Sequence, residues 1–171
     1  MRRRRFLGIG MAGAAAVVAG GLTWRSFSSA VSNAAARVRG RSEVFQSRFG
    51  DMEYAQAGDG RPVLMIHGTG GGFDQGLDFA RPLTARWRII APSRFGYLRS
   101  AFPDDPSSER QADAFADLLD RLAIDRAPII GGSAGALSAM QFAIRHPNRC
   151  SGLVAMVPAA SIDHAFVCGP A

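Results

Sequence analysis

The chain of 171 residues contains no lysine. A phosphate-binding P-loop and Schiff-base catalysis each need one, so both are excluded. Its two cysteines, Cys150 and Cys168, are too few for a disulfide framework or for a cysteine-built zinc site. Acidic residues are missing from the first 42 positions, where eight arginines sit at 2, 3, 4, 5, 25, 37, 39 and 41. The remainder carries 12 arginines against 14 acids, so the formal charge of +6 belongs to the tail and the rest is mildly acidic. No basic stripe interleaved with aromatics exists there, which argues against a nucleic-acid partner.

What the chain does have is a 47% hydrophobic composition, enough for one buried core. Residues 1–30 read as a targeting segment: four arginines precede an uncharged stretch from Phe6 to Trp24. As a helix those residues would span roughly 28 Å, close to the apolar thickness of a bilayer. Small-residue sites at Ser28-Ser29-Ala30 and Ala34-Ala35-Ala36 suit signal peptidase equally well, so anchoring through residues 6–24 and cleavage both stand. Arg3-Arg4-Arg5-Phe6-Leu7 resembles a twin-arginine export signal, which implies passage across a bacterial inner membrane to the periplasmic side; a generic signal anchor whose arginines stay in the cytoplasm stands equally beside it. Gly8-Ile9-Gly10-Met11-Ala12-Gly13 spells a dinucleotide fingerprint, but no strand precedes it and the first acid is Glu43. Residues 31–42 read as a linker, leaving 43–171 for the globular part.

From Ser42 onward, strand and helix patterns alternate, the signature of an α/β fold with a mainly parallel sheet flanked by helices. Val44–Phe49 and Met52–Ala57 suggest a hairpin turning at Gly50-Asp51. Pro62–Ile66 is an apolar run of the kind buried on both faces. A helix is expected over Gln75–Ala85 and a strand over Trp87–Ala91, stopped by Pro92. Ser107-Ser108-Glu109 opens an amphipathic helix through Leu122 whose apolar face is Ala112, Phe115, Leu118, Leu119 and Leu122. Ala127–Ile130, a helix ending near Arg145, and Ser151–Val157 complete the pattern.

Two motifs sit where strands end. Gly131-Gly132-Ser133-Ala134-Gly135 lies between a strand and a helix, the context in which G-x-S-x-G makes a nucleophile elbow with Ser133 at its tip. The glycines Gly131 and Gly135 let strand and helix approach, and the helix amino terminus favours developing negative charge. His67-Gly68-Thr69-Gly70-Gly71-Gly72 follows an earlier strand. Its Gly68 and Gly70 free the backbone to present N–H groups, with the amides of Thr69 and Ala134 expected as oxyanion donors. A plain flexible turn or a phosphate cradle is the simpler reading of that loop alone.

With both motifs in sequence, the stretch from about 43 to 160 resembles the amino-terminal part of the α/β-hydrolase fold superfamily. The resemblance implies a serine hydrolase acting on esters, amides or related carbonyl compounds, small-molecule substrates, with no cofactor and no metal. Acyl transfer and haloperoxidation on the same scaffold remain alternatives. The family pattern A-P-D-x-x-G-x-G-x-S is altered here, where Ala91-Pro92-Ser93-Arg94-Phe95-Gly96-Tyr97-Leu98-Arg99-Ser100 has Ser93 for the acid and Leu98 for the second glycine.

The resemblance also implies a triad in the order Ser, acid, His, its last two members beyond later strands. The only downstream candidates are Asp163 and His164. Asp163 is a candidate acid, no base is identified, and His67 and His146 read as structural. As written, the core is expected to be truncated and the run Gly152–Val157 to be an exposed edge. A non-catalytic, membrane-tethered or partner-binding remnant is the competing reading. Nothing in the sequence reports oligomeric state.

Overall fold

A computed structural model describes residues 20–36 and 38–158 and divides the chain into two units, 1–41 and 42–171. In the first, residues 20–36 are helical, so helix extends into the stretch expected as linker. The run Ala34-Ala35-Ala36 accounts for that, alanine being the strongest helix former. Among the described residues no helix is long and apolar enough to cross a membrane. Most of the expected span 6–24, the twin-arginine motif and the G-x-G-x-x-G match lie outside the described residues, as do Asp163, His164 and Cys168.

The second unit is a six-stranded sheet of order β1-β2-β4-β3-β5-β6. Its strands are β1 (Glu43–Ser47), β2 (Gly50–Ala57), β3 (Arg61–Ile66), β4 (Trp87–Pro92), β5 (Ala127–Gly132) and β6 (Cys150–Met156). The helices are α1 (Phe73–Ala80), α2 (Ser108–Arg121) and α3 (Gly135–Arg145). β2 is antiparallel to β1 and β4, and β4, β3, β5 and β6 run parallel.

The apolar runs are continuous because both sheet faces are covered. Leu64, Ile66, Ile90 and Ile129 pack with Phe115, Leu118 and Leu119 of α2 and with Ala139 and Phe142 of α3. Val63, Met65 and Ile89 point the other way, toward Leu77 and Ala80 of α1. Burying such a side chain is worth about 1.5–3 kcal/mol, which makes this alternation the main source of stability. α2 begins where expected, Ser107 Oγ accepting from the Arg110 amide at 3.4 Å.

Two boundaries differ from expectation for local reasons. The hairpin turns at Arg48-Phe49, and Gly50 with Asp51 is already strand. The Ser47 hydroxyl accepts from the Phe49 amide and donates to the Gly50 carbonyl, and the Arg48 amide donates to Asp117. α1 stops at Ala80 and a 3₁₀ turn, Arg81–Leu83, follows, because Pro82 cannot continue an α-helix. β6 is the sheet edge among the described residues, with Leu153, Val154, Met156 and Val157 exposed as the sequence implied.

Candidate active site

β5 ends at Gly132 and α3 starts at Gly135, so residues 133 and 134 must reverse the chain in one tight bend. Ser133 adopts φ 49°, a left-handed conformation that costs an L-residue about 1–2 kcal/mol. Its own amide donates to the Met156 carbonyl at 2.8 Å, and its carbonyl accepts from Ala136 at 3.0 Å. The bend is thereby tied to β6 on one side and α3 on the other. Ser133 is exposed and its hydroxyl has no hydrogen-bond partner among the described residues.

The flanking glycines are sterically required. A Cβ at Gly135 would lie 2.3 Å from the His67 carbonyl oxygen, and one at Gly131 would lie 2.6 Å from Ala139 Cβ. Gly68 faces the bend, since a Cβ there would come within 3.2 Å of Ser133 Cβ. The structure therefore brings Ser133 and the glycine-rich loop after β3 together at one end of the sheet.

That loop is held by partners its motif does not contain. Gln75 of α1 accepts from the Gly68 amide through Oε1 at 2.9 Å, and Asp74 accepts from the Gly72 amide at 3.0 Å. His67, fully buried, has both ring nitrogens engaged: Nε2 accepts from the Arg94 amide at 2.9 Å and Nδ1 meets the Gly68 carbonyl at 2.7 Å. An acceptor at Nε2 requires the proton on Nδ1 and a neutral ring. Burial agrees, pushing its pKa down to about 4, so His67 is a spacer and not a base. With the Gly68 and Ser133 amides occupied, those of Thr69 and Ala134 are left without an acceptor among the described residues. Ala134 immediately precedes α3, where the helix dipole favours an anion.

The two departures from the family pattern are explained by the backbone and by a neighbouring strand. Leu98, standing where the pattern has glycine, takes φ 49°, and its side chain covers Gly72. Ser93, standing where the pattern has an acid, is fully buried and donates to the Glu53 carboxylate at 3.0 Å. Glu53 on β2 is itself 2% exposed. Arg94 lies beside the loop, Nη1 donating to the Gly68 carbonyl at 3.3 Å and its guanidinium over the Tyr97 ring. Gln75, Glu53 and Arg94 all escaped the sequence reading. A polar residue in the first turn after a glycine loop, as Gln75 is, was the one available signal.

His146 is structural as expected: it ends α3, and its Nε2 meets Asp113 of α2 at 2.9 Å. No cluster of His, Cys, Asp or Glu able to hold a metal occurs among the described residues.

The α/β-hydrolase fold family matches residues 61–167, and the chain belongs to that family. It is similar to an α/β-hydrolase fold protein from Nakamurella multipartita, with TM-score 0.66 and 33% identity over 68% of this chain and 41% of that one. It is 32% identical over 113 residues to a 2-hydroxy-6-oxo-6-phenylhexa-2,4-dienoate hydrolase of Comamonas testosteroni, covering 63% of this chain and 40% of the relative. The N-acyl homoserine lactonase AidH, solved with N-butanoyl homoserine, matches with TM-score 0.60 and 29% identity over 68% of this chain and 44% of that one. The chain thus spans about 40% of the length of the curated relatives it matches. These relatives are hydrolases, and the fold is the amino-terminal part of theirs.

Proposed function

We propose that Ser133 is the nucleophile of a hydrolase acting on a small carbonyl compound, with the amides of Thr69 and Ala134 receiving the oxyanion. The observation that carries this reading is the exposed, left-handed Ser133 facing Gly68, with the next amide along each segment, Thr69 and Ala134, lacking an acceptor among the described residues. The hydroxyl attacks the carbonyl carbon and its proton passes to a base. The carbonyl oxygen gains the negative charge, which the amides and the α3 dipole stabilise; one such donor is worth about 10²–10³ in rate.

No histidine among the described residues is free to act as that base, so the reading assigns base and acid to the part of the fold outside them, with Asp163 a candidate acid. Esters, lactones and carbon–carbon bonds next to a ketone share the carbonyl this chemistry needs, and the similar proteins are named as a 6-oxo-dienoate hydrolase, an N-acyl homoserine lactonase and a marine microorganism esterase. The arginine-led start of the chain supports export to the periplasmic side, by anchor or by cleaved signal. Turnover of a panel of aryl esters, acyl lactones and 6-oxo-dienoates tests the reading. Ser133→Ala is expected to lower kcat at least about 10³-fold; undiminished turnover by that variant would refute it.

A further inference from the structure

The family pattern places an aspartate after β4, yet Ser93 stands there and no charge is lost from the site. Glu53 lies opposite on β2, where the Ser93 amide donates to its carbonyl at 2.8 Å and the Ser93 hydroxyl donates to its Oε2 at 3.0 Å. The same Ser93 oxygen accepts from the Phe73 amide at 3.1 Å. Phe73 is the first residue of α1 and immediately follows Gly72, so this bond fixes where the glycine-rich loop ends.

Glu53 is fully used by its surroundings. Oε1 accepts from Ser42 Oγ at 2.6 Å and from Arg99 Nε at 2.7 Å, and Oε2 also accepts from the Arg99 amide at 3.2 Å. Ser100 completes the frame, its hydroxyl accepting from the Glu53 amide at 3.0 Å and donating to the Ser93 carbonyl at 2.7 Å. A carboxylate this buried persists only when paired and hydrogen-bonded, and here it is both. Phe73 keeps its acceptor because Glu53 orients the Ser93 hydroxyl, whose proton must point at the carboxylate for its lone pair to face the amide.

We infer that Glu53, acting through Ser93, is the positioning residue for the glycine-rich loop, a carboxylate moved from β4 to β2 that does the work the pattern's aspartate would do. This inference rests on the reading of that loop as the oxyanion site, but its structural half can be measured without any reaction. Amide hydrogen exchange at Gly72 and Phe73 is expected to rise at least about tenfold in Glu53→Gln and in Ser93→Ala, while core amides of α2 and α3 keep their protection. Adding Ser93→Asp to Glu53→Gln returns one carboxylate to the frame and is expected to restore Phe73 protection. Ser93→Asp alone sets two carboxylates face to face and is expected to lose protection.

Labelling by a fluorophosphonate is expected to slow at least about tenfold in Glu53→Gln and to recover in the double variant. Unchanged Phe73 protection in Glu53→Gln, a double variant that fails to recover, or labelling of Glu53→Gln as fast as the parent overturns the inference. A parent protein that takes no label counts against the serine reading instead, and the exchange comparison still decides the role of Glu53.

Discussion

At the scale of single residues, the site depends on conformations and protonation states that the side chains alone would not choose. Ser133 stores backbone strain, since φ 49° is open only to glycine without cost. Ser133→Gly is therefore expected to be at least as stable as the parent in a thermal melt, and Ser133→Val to be destabilised by about 2 kcal/mol, a β-branched residue tolerating that region worst. His67 makes a second demand. Its folded pKa of about 4 lies below its unfolded value, so the unfolded chain binds more protons between the two. The stability contribution is complete above about pH 6.5 and is lost as pH falls from there toward 4, by up to about 3 kcal/mol. Urea melts across that range should show the decline, and His67→Gln should flatten it. Glu53 acts in the window below. Burial pushes its carboxyl upward, but bonds from Ser42, Arg99 and Ser93 outweigh that and hold it below the usual range. Its contribution is present above the unfolded glutamate value and disappears as the pH falls through the folded one.

At the scale of elements, the close approach of β3, β5 and α3 decides the geometry. Gly135 admits no side chain because the His67 carbonyl occupies the space, so Gly135→Ala is expected to cost at least about 2 kcal/mol. Circular dichroism melts of Gly135→Ala beside Gly132→Ala check this, because a Cβ at Gly132 meets nothing nearer than 3.4 Å. α2 and α3 are clamped by Asp113, whose carboxylate receives Arg145 at 2.7 Å and His146 at 2.9 Å. Asp113→Asn should lower stability by about 1–2 kcal/mol, kept modest because the Arg145 head remains in contact with water. The elements were legible where one period dominated. The α2 face from Ala112 to Leu119 and the strand-bend-helix around Ser133 follow from spacing alone. The hairpin turn does not, because Ser47 makes it with its hydroxyl, whereas Gly50, three residues later and the hinge the sequence suggests, already lies in β2.

At the scale of the molecule, sequence motifs revealed which backbone segments meet but not what braces them. Ser133, Thr69 and Ala134 carry recognisable local patterns. Glu53, Gln75 and Arg94 come from β2, α1 and the loop after β4, and only the strand order β2-β4-β3-β5 brings them to one place. Among the described residues the same order leaves β6 at the edge with Leu153, Val154 and Met156 uncovered. An edge strand of that character pairs with other chains. The 171-residue chain is expected to associate as its concentration rises in sedimentation experiments, and Val154→Lys to suppress this. β6 also carries the Met156 carbonyl that receives the Ser133 amide, so disorder of the edge would loosen the bend itself.

The central claim is tested most directly by treating the folded protein with a fluorophosphonate and mapping the adduct by mass spectrometry. A single adduct on the peptide containing Ser133, absent after Ser133→Ala and after heat unfolding, is the predicted result. An adduct on a different residue, or folded protein that stays unmodified, would contradict it.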